Sequence, residues 1–138
     1  MPAADEAAPR TYTRFEVALV IFALAVGGFG IGTGEFAVMG VLPDIATTFN
    51  VTAPEAGYVI SAYALGVVVG APIIAMLGAK LSRRNLLLGL MGVFALGNIL
   101  SSLAPTFTSF TVLRFLTGLP HGAYFGVAAL VSASLVPV

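Results

Sequence analysis

The chain has 138 residues, of which 59% are hydrophobic and 9% charged, and its mean hydropathy is +1.04. Soluble domains carry about 25% charged residues, so this composition cannot cover a water-facing surface and points to lipid as the solvent. Six basic and six acidic side chains leave no net charge, which speaks against a nucleic-acid partner. With no Cys, one His and scattered carboxylates, disulfides and thiolate metal sites are excluded, and no structural metal or cofactor is expected.

Residues 1–14 are rich in Ala and Pro with mixed charge and read as a mobile tail. Four long apolar stretches follow, over about 17–42, 56–79, 85–104 and 108–136. Each approaches or exceeds the roughly 20 residues that a spanning helix needs. They are too long for barrel strands and lack a two-residue alternation. A cleaved signal peptide fits the first stretch poorly, because a signal core is about 7–15 residues whereas 18 residues precede Glu35 and no Ala-x-Ala site closes them. An all-α membrane protein of four antiparallel transmembrane helices is therefore predicted, with residues 15–138 forming one bundle.

The basic residues set the orientation. Arg10 and Arg14 precede the first span, and Lys80, Arg83 and Arg84 lie between the second and third. The connection over 43–55 carries Asp44 and Glu55 without Lys or Arg. Positive residues gather on the cytoplasmic side, so a cytoplasmic N-terminus in a plasma (inner) membrane is expected. Thr52-Ala-Pro-Glu55 reads as a capping box opening the second span.

Ionisable residues within a span cost about 2.5–3.5 kcal/mol each on insertion scales and usually face a bundle interior. Glu35 lies about 10 Å from the end of the first span and Arg114 about 9 Å from the same surface, at 1.5 Å per residue. Equal depth predicts that the two approach, directly or through water; snorkelling of Arg114 to the headgroups is the alternative. His121 follows Arg114 by seven residues and so returns to within about 20° of its face. Thr117, Gly118, Gly122 and Phe125 lie on or beside that stripe, and Pro120 should bend the helix. The stripe suits a substrate-facing wall, with Thr117, His121 and Phe125 lining a cavity; the alternative for His121 is a neutral ring bonded to a neighbouring helix. Gly66-x-x-x-Gly70 and the glycines of the first span suit close helix packing. Tyr58 and Tyr63 fit either an interfacial belt or the cavity.

Three stretches resemble the major facilitator superfamily, closest to its twelve-helix drug:proton antiporters of the arabinose-efflux-permease-like and chloramphenicol-resistance-like kind. They are Gly32-Thr-Gly-Glu-Phe-Ala-Val-Met-Gly-Val-Leu-Pro-Asp44, Lys80-Leu-Ser-Arg-Arg84 and Arg114-Phe-Leu-Thr-Gly-Leu-Pro-His-Gly-Ala-Tyr-Phe-Gly126. The resemblance covers about residues 15–138 and implies the first four helices of a twelve-helix transporter, so helices five to twelve are expected in a longer parent chain. It implies proton-coupling roles for Glu35 and Arg114, motif positions for Gly118 and Gly122, and a cytoplasmic loop gate at Lys80, Arg83 and Arg84. The loop departs from the superfamily pattern, with Ala79 where an Asp and Ser82 where a Gly is expected.

The expected function is proton-coupled efflux of small organic molecules or drugs by the full-length parent, with lipid, protons and a small-molecule substrate as partners. A complete four-helix exporter acting as a dimer is an alternative, which the lack of Trp and the position of Glu35 in the outer half of its helix disfavour. A non-transporting membrane scaffold is another, and it leaves the buried charges unexplained. An enzyme is not expected, since neither a nucleophile–base pair nor paired carboxylates stand out. Direction of transport and substrate identity stay open.

Overall fold

A computed structural model describes residues 12–135, and these form six helices. They are α1 (Arg14–Gly40), α2 (Leu42–Phe49), α3 (Ala53–Ala56), α4 (Tyr58–Gly78), α5 (Arg83–Ser102) and α6 (Phe107–Leu135). Four helical stretches are long and apolar enough to cross a membrane: Arg14–Gly40, Ala53–Gly78, Arg83–Ser102 and Phe107–Leu135. The tail expected over residues 1–14 falls outside the described residues as far as position 11, as does the last position of the span expected to reach 136.

Local chemistry explains where each helix begins. Thr13 caps α1 through a reciprocal box: its hydroxyl accepts from the Glu16 N–H at 3.2 Å while the Glu16 carboxylate accepts from the Thr13 N–H at 2.8 Å. Helix α1 therefore starts at Arg14 rather than Val17, because the box satisfies the first free N–H groups. Thr52 and Glu55 form the same box at the head of α3, with Pro54 in its first turn. Ser82 caps α5, accepting from the Asn85 N–H at 3.3 Å. The serine at the departure from the family's loop pattern thus starts a helix.

The connection over 43–55 is more ordered than its charge pattern suggested. Helix α2 occupies most of it, opened by Pro43 in its first turn and closed by Asn50 in the left-handed region at φ 51°. Asn tolerates that conformation better than most residues. One face of α2 buries Ile45, and the Phe49 ring packs 6.0 Å from Phe107 and 5.5 Å from Phe110 at the start of α6.

The core is built around α6. Helices α4 and α6 approach until their backbones touch: a Cβ at Gly66 would overlap the Phe115 carbonyl oxygen, one at Gly70 that of Leu119, and one at Gly118 that of Tyr63. Small residues are what allow membrane helices this separation. Helix α5 packs on another side of α6, where the Thr117 methyl group fills the space a Cβ at Gly97 would take. Helix α1 lies along an edge, with Gly27 against the Tyr124 ring, Gly28 against Phe125 and Gly34 against Phe94. The central cluster comprises Ile31, Tyr63, Leu90, Phe94, Ala123 and Tyr124, one or two residues from each spanning helix. Large apolar side chains such as Phe22, Phe29, Val68 and Leu77 face outward, as a lipid solvent allows.

Candidate functional site

The glycine contacts between α4 and α6 bring one polar row of each helix together. On α4, Tyr63 lies three and seven residues before Gly66 and Gly70, on the face turned to α6. On α6, Arg114, Gly118, His121 and Gly122 share the opposing stripe. The result is a continuous chain of four side chains. The Arg114 guanidinium lies over the Tyr63 ring, 4.2 Å from its centroid. The Tyr63 hydroxyl is 2.9 Å from His121 Nδ1, and that same nitrogen is 3.9 Å from the Glu35 carboxylate on α1.

Arg114 is 2% exposed, and its Nε lacks a hydrogen-bond partner. Its contact with the face of Tyr63 is a cation–π interaction, worth about 2 kcal/mol or more in a desolvated setting. Snorkelling is ruled out for this arginine, because its side chain stays inside the bundle. The expected approach of Glu35 to Arg114 is not a direct ion pair here: Glu35 faces His121. The reason is register. Gly28 meets Phe125, and α1 and α6 run antiparallel. Counting from that contact at 1.5 Å per residue puts Glu35 about 10 Å along, His121 about 6 Å and Arg114 about 16 Å. Glu35 falls between the two and nearer the imidazole.

The wall expected on α6 divides in two. His121 and Phe125 lie on its partly open side, with their rings 5.2 Å apart and Phe125 46% exposed. Thr117 does not line an open space. It is fully buried, its hydroxyl donates to the Leu113 and Arg114 carbonyls at 3.0 and 2.9 Å, and its methyl group packs on Gly97. Hydrogen bonding back to the preceding turn is a common way for a threonine in a helix to satisfy its hydroxyl. Pro120, also buried, leaves the Leu116 carbonyl without its usual helical partner just before His121.

Gly118 and Gly122 act as spacers that set the α4–α6 distance, and Tyr63 joins the site through them. Tyr63 was undecided between belt and cavity in the sequence; its spacing from Gly66 and Gly70 was the signal that it faces the same neighbour as they do. Tyr58, by contrast, is exposed at the start of α4. Tyr124 is the other tyrosine the site depends on, its hydroxyl donating to the Leu24 carbonyl at 2.9 Å and so tying α6 to α1.

At the far end of the bundle, Arg83 donates to the Leu130 carbonyl of α6 at 3.1 Å. Lys80 and Arg84 are exposed and make no ion pair among the described residues. A cavity of about 380 Å³ opens there between α4, α5 and α6, bordered by Ala71, Gly78, Arg83, Gly122 and Leu130. His121 and Phe125 do not border it.

The family model described as Major Facilitator Superfamily matches residues 24–138. The chain is 51% identical over 117 residues to the inner membrane transport protein YdhP of Escherichia coli K12. It is 44% identical over 117 residues to the putative transporter AraJ of the same organism, and 36% identical over 119 residues to the chloramphenicol resistance protein of Streptomyces lividans. These alignments cover 85–86% of this chain, which spans about 30% of the length of each relative. No solved structure matches. Four apolar helices, a small-residue bundle core and a sequence match across most of the chain lead to one assignment: the chain belongs to the Major Facilitator Superfamily.

Proposed function

We propose that the complete protein exports small organic molecules across the inner membrane in exchange for protons, with this segment supplying proton-coupling residues and part of the substrate wall. The observation that carries this reading is the Arg114–Tyr63–His121–Glu35 chain inside an apolar bundle. Ionisable side chains are expensive in lipid, and where they persist they mark ion or substrate pathways. A scaffold would gain nothing from an arginine sealed against a tyrosine ring. The relative named for chloramphenicol resistance favours a drug-like organic substrate and efflux over uptake.

In this reading the Glu35 carboxylate draws the coupled proton to the partly open edge of the bundle, and Arg114 holds a fixed positive charge behind it. His121 and Phe125 present an imidazole and an aromatic face to the substrate, while Gly118 and Gly122 keep α6 against α4. Lys80, Arg83 and Arg84 form the cytoplasmic gate, with Arg83 latched to the end of α6. Movement between open states would follow the alternating-access scheme, in which one bundle rocks against another around a mid-membrane site.

The test is transport by the complete gene product carrying this segment, in vesicles with an imposed pH gradient. Glu35→Gln is expected to reach normal membrane levels and lose gradient-driven efflux. Full activity of that variant would remove Glu35 from the mechanism.

A further inference from the structure

The position of His121 supports a step beyond that reading. Its Nδ1 lies within reach of two acceptors of different strength, on two different helices. The Tyr63 hydroxyl of α4 is at bonding distance, 2.9 Å, and the Glu35 carboxylate of α1 waits at 3.9 Å. The three side chains differ in freedom: Tyr63 is 2% exposed, whereas the His121 and Glu35 side chains are 16% and 30% exposed. Tyr63 is also pinned from its ring face by Arg114. The parts able to move are the imidazole and the carboxylate.

A neutral imidazole protonated at Nε2 offers the Nδ1 lone pair, and the Tyr63 O–H donates to it. Adding a proton turns Nδ1 into a donor. It must then choose between a neutral phenol oxygen and a carboxylate, and charge-assisted hydrogen bonds are roughly twice as strong as neutral ones. A shift of about 1 Å closes the 3.9 Å gap to a normal bond length. Tyr63 simultaneously loses its acceptor.

We propose that His121 is a proton-binding switch between two helices: neutral, it is tied to Tyr63 of α4, and protonated, it releases Tyr63 and pairs with Glu35 of α1. Its consequence is mechanical, since one proton moves the polar tie of α6 from its close-packed partner to the helix along its edge. The groups facing His121 are Glu35 from α1, Tyr63 from α4 and Phe125 from α6 itself, with Arg114 one side chain further along, against the Tyr63 ring. Helix α5 carries charge only in its first turn, at Arg83 and Arg84. The Tyr124 hydroxyl is committed to Leu24. A desolvated interior resists a second cation beside Arg114, and the Glu35 carboxylate is the group placed to offset a charge on His121.

This inference deepens the coupling role proposed above but has a readout independent of transport. Histidine-selective ¹⁵N labelling of the complete gene product in lipid nanodiscs, with the His121 ring signals identified by their loss in His121→Asn, gives one pair of ring-nitrogen signals to follow with pH. At high pH, Nε2 is expected to be protonated and Nδ1 to show the shift of a hydrogen-bonded acceptor; on acidification both become protonated. Tyr63→Phe should move the Nδ1 signal toward that of a free acceptor. Glu35→Gln should lower the titration midpoint by about 1 pH unit, the usual effect of deleting a nearby opposite charge. A proton on Nδ1 in the neutral ring, or an unchanged midpoint in Glu35→Gln, overturns the switch. If Tyr63→Phe does not fold, the wild-type tautomer and the Glu35→Gln midpoint still decide. Loss of proton-coupled efflux as a reading, with the switch intact, would appear as a normal titration in a protein that moves no substrate against the gradient.

Discussion

Gly118 and Arg114 show at the scale of one residue how this bundle reaches its geometry. A methyl group at Gly118 would overlap the Tyr63 carbonyl oxygen and lie 3.1 Å from the Val67 nitrogen. Both are backbone atoms, so neither can swing aside. Gly118→Ala is expected to cost about 1–3 kcal/mol, the range for overpacking a filled interior, read by denaturant unfolding in detergent micelles. Gly89→Ala is the matched control. A Cβ there meets nothing within 4 Å, and exchanging a helical Gly for Ala should stabilise by about 0.5–1 kcal/mol. Equal effects at the two positions would show that the α4–α6 contact does not limit stability. The sequence already marked Arg114 as costly in hydrocarbon and placed Gly118 on or beside its stripe. It did not reveal that Tyr63 is the partner of Arg114. A tyrosine in a span satisfies belt and interior patterns equally well until its neighbours are known.

Among the elements, the connection between the first and second spans carries the clearest local energetics. The Thr52–Glu55 box was legible because its physics is confined to four consecutive residues. Thr52→Ala is expected to cost about 1 kcal/mol, seen as faster amide exchange at the head of α3. Helix α2 was read as loop, because eight residues with a Pro and an Asp resemble a turn more than a helix. What orders it is tertiary: Phe49 sits against Phe107 and Phe110, residues about 60 positions away. Phe49→Ala should therefore raise exchange over 42–49 by about 0.5–1.5 kcal/mol in opening free energy, the worth of an aromatic pair. The four spans should be unaffected. Protection lost equally across α4 and α6 would mean that α2 is part of the core rather than an attachment to it.

For the whole molecule, the open choice is which way the bundle faces. By the positive-inside rule, the basic residues lead to the expectation that α1's start and the α4–α5 turn face the cytoplasm. The chain has no Cys, so single substitutions give a clean accessibility test. Thr48→Cys and Leu81→Cys both lie at exposed positions at opposite ends. A membrane-impermeant maleimide on intact cells is expected to label Thr48→Cys and to spare Leu81→Cys; the reverse pattern would invert the orientation and move the Lys80–Arg84 loop outside.

The sequence by itself determined the solvent, the number of spans and the family, because each depends on residue type summed over a local stretch: hydropathy over about 20 residues, charge between stretches, and contiguous motifs. It also marked Glu35, Arg114 and His121 as residues that lipid alone would not tolerate. Which of them meet was decided by tertiary structure. Pairing depends on the register of one helix against another, and that register is set by where glycines allow backbones to touch and where rings such as Phe125 and Tyr124 seat on α1. A slip of one turn, about 5.4 Å, changes the partner of a carboxylate. The Glu35–Arg114 pairing inferred from equal depth thus became Glu35 beside His121, with Tyr63 completing the link to Arg114.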